Sequence, residues 1–370
     1  MTVRHIEDFR DPVLAKRLID KITQVAAEIP REVKLMEVCG THTVAIAKHG
    51  LREVMPENVT LISGPGCPVC VTANRDIDTA IEIGRQDDVI LTTFGDMMKV
   101  PGSYSSLAKE KADGRDIRVV YSPLDALTIA EENPDKHVSF LAVGFETTAP
   151  TVASAVETAA SRGLENFSVL CLHKTVPYAL KALVDDPEVQ VAGFILPGHV
   201  STIIGLNPYR FLAEEYAIPS VISGFEPLDV LQTIWMLLKQ LAAGEAKVEI
   251  AYKRGVMPTG NQTALKKIDD VFYPTDSEWR GIGVIPGTGM DVRDEYERFD
   301  SKKRVPVIPP EPRDIPGCQC GDVLRGVVLP FECRLFAKAC TPENPIGPCM
   351  VSSEGSCAAY YRYTDYGKGS

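Results

Sequence analysis

Eight short apolar runs rich in β-branched residues punctuate the first two-thirds of the chain, at 34–38, 59–62, 89–94, 117–121, 138–143, 167–172, 191–196 and 219–222. Each is followed by Gly, Pro or Thr and then by a stretch with helical spacing, which predicts alternating strands and helices. Strands that are apolar on both faces belong to parallel sheets covered on both sides. Two sets of four predict two similar α/β domains, over residues 31–125 and 126–243. Ligands of open parallel sheets sit outside the carboxyl ends of the strands. The chemistry is therefore expected in the loops that follow: CGTH, GPGCPVC, TFGD and YSP in the first set, and GFETT, LHKT, LPGHVS and GFEP in the second.

Beyond them, residues 226–243 carry Leu228, Leu231, Ile234, Trp235, Leu238 and Leu241 at helical spacing, a packing face. Residues 244–300 are more polar and give no clear pattern. The glycine-rich stretch 281–289 lacks the G-x-G-x-x-G spacing, carries a proline where a helix should begin, and reads as a turn. Pro306, Pro309, Pro310, Pro312 and Pro316 predict an extended linker over 304–317. A cysteine-rich module follows it.

Composition narrows the function. With 370 residues, 45% hydrophobic and 24% charged, the chain can bury several cores, and disordered or fibrous classes are excluded. A net charge of −11 argues against a nucleic-acid groove, which needs clustered Lys and Arg, so proteins or small molecules are the expected partners. The first twenty residues are too charged for a signal peptide, and no run reaches the roughly 18 apolar residues that span a bilayer. A cytoplasmic protein is expected, in which ten cysteines read as metal or redox chemistry rather than as structural disulfides.

Six of those cysteines fall within forty residues of the tail. Structural zinc sites favour C-x2-C pairs, whereas the tail offers only Cys318-x-Cys320 and wide gaps. An iron–sulfur cluster accepts such gaps more readily. Cys320, Cys333, Cys340 and Cys357 are the preferred ligands; Cys318 and Cys349 are left as spares or as a thiol pair. Cys67 and Cys70 form a C-x-x-C unit at a strand end, where a helix N-terminus would lower a thiol pKa; redox, half a zinc site and chance remain open. Cys39, followed by Gly40 and by His42 as a potential proton acceptor, also sits where a strand gives way to a helix. A lone cysteine is more commonly a small buried hydrophobe, but if the loops share a crevice Cys39, Cys67 and Cys70 could meet at one soft-metal site. His199, Glu146 and Thr147 end strands of the second set and are candidates for binding or proton transfer, as are Asp96 and His173; each could equally serve an ordinary turn or cap. Cys171, inside an apolar strand, reads as core. No P-loop, H-E-x-x-H or G-x-S-x-G motif is present.

Taken in order, CGTH at 39–42, GPGCPVC at 64–70, FGD at 94–96, GFETT at 144–148, PGHVS at 197–201 and MVSSEGSCAAYY at 350–361 resemble the HypD family of [NiFe]-hydrogenase maturation factors over essentially the whole chain. The resemblance implies two similar α/β domains and a third, here residues 1–30 and 244–370, holding a [4Fe–4S] cluster beside a cleft. It implies an assembly scaffold for the Fe(CN)2CO group, working with the small chaperone HypC. Cyanide-forming groups would come from HypE, whose chemistry begins with carbamoyl phosphate on HypF. Carried over, Cys39 would ligate the iron jointly with a cysteine of HypC, Cys67 and Cys70 would be a redox dithiol, and His42 and His199 would lie near the iron. The family's C-x12-C-x6-C-x16-C pattern falls on Cys320, Cys333, Cys340 and Cys357, with Glu354 beside the last ligand. The protein is then a scaffold with redox chemistry rather than a stand-alone turnover enzyme. A free-standing iron–sulfur thiol–disulfide oxidoreductase is the enzymatic alternative, and a zinc knot on an inert adaptor the structural one.

Overall fold

The computed structural model describes residues 8–313 and 316–367. All eight expected strands form: β1 (Val33–Glu37), β2 (Val59–Ser63), β3 (Val89–Thr93), β4 (Ile117–Val119), β5 (His137–Ala142), β6 (Phe167–Cys171), β7 (Gly193–Leu196) and β8 (Ser220–Ile222). Three more follow: β9 (Val248–Ile250), β10 (Phe272–Trp279) and β11 (Gly283–Val292). Every pairing among β1 to β9 is parallel, as the apolar runs require.

The strands do not divide into the two contiguous sets that the sequence suggests. One sheet has the order β2-β1-β7-β8-β9 and the other β4-β3-β5-β6. The chain begins one sheet, builds the whole of the second, and returns to finish the first. Each βα unit carries the same local signature, so the choice of neighbour is made by packing; sequential strands usually pair, but not at the β2–β3, β4–β5 and β6–β7 junctions.

Three buried clusters explain the layering. Beneath the first sheet, Leu35, Ile195 and Val221 meet Ile22 and Ala26 of helix Pro12–Ala26 and Leu231, Ile234 and Leu238 of helix Pro227–Ala243. Helix Pro12–Ala26 therefore belongs with the first sheet and not with the tail module, as its Leu18 and Ile19 pack on that same core. Under the second sheet, Phe140 and Phe167 meet Val152 and Val156 of helix Ala149–Arg162. A third cluster joins both sheets, with Met36, Leu91, Leu141, Phe194, Trp279 and the thiols of Cys67 and Cys70.

Residues 281–289, expected to be a turn, mostly form β11 of an antiparallel hairpin with β10. The hairpin ties the two halves together. Arg280 N–H donates to Val71 O (2.9 Å) and its Nε to Thr72 O (2.8 Å), while the buried Lys174 Nζ donates to Ser277 Oγ (2.6 Å) and Glu278 O (2.7 Å). Within the expected linker, residues 305–313 have no regular structure, and Arg313 N–H donates to Ser103 Oγ (2.9 Å). Residues 314–315 of that linker, 1–7 of the charged opening, and 368–370 lie outside the described residues. No described helix is long and apolar enough to cross a membrane.

Candidate functional site

Each parallel sheet has one point where the strand order reverses, and these are the places where loops part to admit a ligand. In the first sheet it lies between β1 and β7, which run into Cys39 and into Pro197–His199; in the second it lies between β3 and β5, which run into Asp96 and Glu146. Four of the residues singled out from sequence therefore stand at the two switch points.

Cys39 caps helix Gly40–Lys48 and is 8% exposed. Its N–H donates to Glu37 Oε2 (3.1 Å), while Thr43 Oγ1 donates to Glu37 Oε1 (2.5 Å). Glu37 is fully buried, and desolvation raises its carboxyl to about 7 despite those bonds. The Cys39 thiol is pushed up to about 12, by burial first and by the charge of Glu354 second, with the N–H groups of His42 and Thr41 pulling the other way. Helix N-terminal position is thus outweighed, and the resting group is a neutral thiol whose proton a bound cation would displace.

Glu354 links this loop to the tail. It accepts from Thr41 Oγ1 (2.8 Å), and a Cβ on Gly40 would lie 2.6 Å from Glu354 Cβ, so only glycine permits the approach. Its charge also raises the Asp96 carboxyl, after burial, and opposes the desolvation that lowers the His199 pKa. Groups from β1, β3, β7 and the tail therefore share one field.

His42 and His199 flank a common ring. Phe225, in the loop after β8, stacks on His42 at 4.9 Å and on His199 at 3.8 Å. His42 is buried, donates through Nε2 to Gly224 O (2.9 Å), and is held neutral by desolvation, its pKa lowered to about 4. That bond fixes the tautomer and leaves Nδ1 as a buried acceptor without a partner. His199 keeps its outer edge exposed.

The GPGCPVC loop interlocks with the CGTH loop: Gly40 N–H donates to Gly66 O (3.0 Å), and Gly64 N–H to Glu37 O (2.7 Å). Cys67 caps the short helix Pro68–Val71 and accepts from Cys70 N–H (3.3 Å). The Cys70 sulfur faces the tail, reaching Pro348 O (3.8 Å) and the Cys349 thiol. Burial raises it well above the usual thiol range, against the lowering expected from a helix N-terminus. Among the described residues no three His, Cys, Asp or Glu side chains are grouped so as to hold one metal ion, the tail cysteines included.

Cys349 then meets Cys320, sulfur to sulfur, at 2.8 Å. The partner of Cys349 is thus Cys320 rather than Cys318. All six tail cysteines, Cys318, Cys320, Cys333, Cys340, Cys349 and Cys357, line one cavity with Val323, Leu335, Phe336 and Met350. Desolvation and the neighbouring thiols together raise Cys357 well above the usual range. A cavity lined mainly by sulfur and apolar side chains suits an iron–sulfur cluster.

Some expected residues stand elsewhere. Thr147 is exposed. His173 is buried on the second sheet, bonded to Thr148 Oγ1 (3.0 Å) and 3.6 Å from Cys171 Sγ, with its pKa lowered to about 4 by desolvation alone. Glu37 was not anticipated, although a carboxylate inside the apolar run Leu35-Met36-Glu37-Val38 was an available signal; Phe225 lies in the GFEP loop, but nothing in the sequence marked its place between the two histidine rings.

The family model HypD, described as hydrogenase formation hypA family, matches residues 13–364. The chain belongs to the HypD family. A hydrogenase maturation factor HypD of Rhizobium leguminosarum bv. viciae is 46% identical over 369 residues, covering 98% of this chain and 96% of that protein. The maturation factor HypD of Escherichia coli K12 is 44% identical, with 98% of each chain covered. A putative hydrogenase expression/formation protein of Methanocaldococcus jannaschii is 46% identical over 96% of this chain and 99% of its own.

Proposed function

We propose that this HypD-family protein acts in hydrogenase maturation as the scaffold on which an iron atom receives the cyanide and carbonyl ligands of the Fe(CN)2CO group. The observation that carries the reading is the interlock of the Cys39 and Cys67/Cys70 loops at the first switch point, with Cys70, Cys349 and Cys320 leading on to the six-cysteine cavity. Cys39 anchors the iron through a soft thiolate, jointly with a cysteine of the small chaperone HypC; HypE delivers the cyanide-forming group. His42 and His199 border the iron on the side of Phe225. Cys67 and Cys70 act as a dithiol that closes to a disulfide while its two electrons cleave the S–CN bond of the thiocyanate-like donor on HypE, leaving cyanide on the iron and a thiol on the donor.

A [4Fe–4S] cluster bound in the tail cavity would supply one-electron chemistry. Cys333, Cys340 and Cys357 would hold it with a fourth cysteine. Spacing offers Cys320 for that place, but Cys320 faces Cys349, and Cys318 on the same cavity is the better-supported ligand. Iron and acid-labile sulfide should therefore fall sharply in Cys318→Ala and stay near wild type in Cys320→Ala; the reverse result restores Cys320 as the ligand.

Infrared spectroscopy of the protein purified with its small partner tests the scaffold, because CN and CO stretches appear where protein is transparent. Wild type should show both, and Cys67→Ala should drop to background. Wild-type bands in Cys67→Ala would overturn the dithiol step, and no bands in wild type would overturn the scaffold. A free-standing disulfide reductase fits less well, since Cys67 and Cys70 are 4% and 0% exposed and closed to a soluble disulfide.

A further inference from the structure

Arg280, in the turn between β10 and β11, is 9% exposed and stands between the dithiol helix and the tail cysteines. On one side its N–H and Nε hold Val71 O and Thr72 O, the carbonyls that follow Cys70. On the other side the next residue touches the tail. A Cβ on Gly281 would lie 2.2 Å from Gly321 Cα, and a Cβ on Gly321 would lie 2.7 Å from Gly281 Cα. Gly321 directly follows Cys320. Arg280 and Asn74 line a cleft together with Cys318 and Cys320, and the same two cysteines line the six-cysteine cavity. They are the wall that the cleft and the cavity share.

The guanidinium spends its donors on neutral oxygens. Besides Thr72 O, Nη1 donates to Asn74 Oδ1 and Nη2 to Pro101 O (3.5 Å). Among the described residues no carboxylate forms an ion pair with Arg280; Asp322, which lines the same cleft, is held by Arg325 (2.8 Å). Burying a cation without an anion is costly, and a clamp on carbonyl oxygens needs only a neutral amide. The charge therefore calls for an anion that arrives with a ligand. Across the wall stand thiols, which become thiolates when they bind metal. Four thiolates around a [4Fe–4S] core leave a net double negative charge, and reduction by one electron adds a third.

We propose that Arg280 is the buried counter-charge of the cluster held by the tail cysteines, and that it raises the reduction potential of that cluster. The inference rests on the cluster reading above. A fixed cation favours whichever state carries more negative charge, here the reduced one, and a buried cation is screened little by salt. Net charge, hydrogen bonds to sulfur and exposure to solvent are the levers on such potentials, and Arg280 works through the first. It is a positioning residue that acts through its field and is no ligand. The consequence is that a one-electron donor loads the cluster at a less negative potential than the thiolates alone would set.

The test is a potentiometric titration of the full-length protein after anaerobic cluster reconstitution, followed by visible absorption and electron paramagnetic resonance. Arg280→Gln removes the charge and keeps a donor, whereas Arg280→Lys keeps the charge and loses the fork. At the wild-type midpoint, Arg280→Gln should raise the ratio of oxidised to reduced cluster about tenfold, a downward shift of about 59 mV for one electron. Arg280→Lys should stay close to wild type. Asn74→Asp sets a carboxylate against the guanidinium with the arginine still in place; it should lower the potential too, and it decides the matter if Arg280→Gln does not fold. Wild-type potentials in Arg280→Gln and Asn74→Asp, with full iron and acid-labile sulfide, would overturn the counter-charge. So would equal shifts in the Gln and Lys variants, which are the mark of a clamp alone. Absence of iron and sulfide from wild type would instead remove the cluster on which the inference rests.

Discussion

Replacing Cys39 by alanine should erase the CN and CO infrared bands of the protein purified with its partner, while leaving the fold and the iron–sulfur content of the tail unchanged. The expected loss is to background, because the other thiols have commitments of their own, Cys67 accepting from Cys70 N–H as its dithiol partner. Cys70 is committed to the Cys349 side of the loop, and the tail cysteines look into their own cavity. The cost to the fold is small. Cys39 is a short side chain at a helix start, and truncating it deletes one buried sulfur worth about 1 kcal/mol, within the ordinary range for a point substitution. A melting temperature close to wild type, together with full acid-labile sulfide and absent CN and CO bands, is the expected pattern. Retained bands would mean that the iron is held elsewhere, and the interlocked loops would then need another purpose.

How much of this was legible in the sequence follows from which interactions are local. The first eight strands were legible because each is a short, mainly apolar run followed within three residues by Gly, Pro or Thr. Their order was not. Nothing within 89–93 distinguishes a strand that will pair with 117–119 and 137–142 from one that will pair with 59–63, since all present apolar faces of similar size. β9 is three half-buried residues and gives no periodic signal. β10 reads as a polar segment, with Phe272 and Trp279 buried at its ends and Pro274, Asp276 and Glu278 between. It is a strand because the hairpin serves as a strap between two loops, a role decided by tertiary contact.

The site divides the same way. Cys39, His42, Cys67, Cys70 and His199 were visible because strand ends followed by glycine are where parallel sheets place ligands. The partner of Cys349 was not visible, because spacing cannot say which of Cys318 and Cys320 will face it across the cavity. Glu354 was visible only as a neighbour of Cys357 in sequence; its contact with Thr41 joins residues 313 positions apart.

The second large effect is expected from Gly66→Ala, and it tests the interlock itself. A Cβ at Gly66 would lie 2.1 Å from Cys39 N, 2.3 Å from Val38 C and 2.4 Å from Cys39 Cα. All three are backbone atoms, and none can rotate aside. That strand end is pinned from the other side as well, by Val38 N–H donating to Ile195 O (3.3 Å), and the loops are joined by the Gly40 to Gly66 bond (3.0 Å). Relief therefore requires the two loops to part and the bonds between them to break. A loss of roughly 3 kcal/mol or more is expected, at the upper end for overpacking. Gly64→Ala is the matched control. Its Cβ meets only side-chain atoms of Met36 (2.7 Å) and Val38 (2.8 Å), and the flexible thioether can shift at a cost nearer 1 kcal/mol. Urea denaturation of the two variants beside wild type reads the difference directly. Equal, small losses would show that the loops already stand apart, which would separate Cys39 from the dithiol and remove the geometric basis for placing iron and redox sulfur in one crevice.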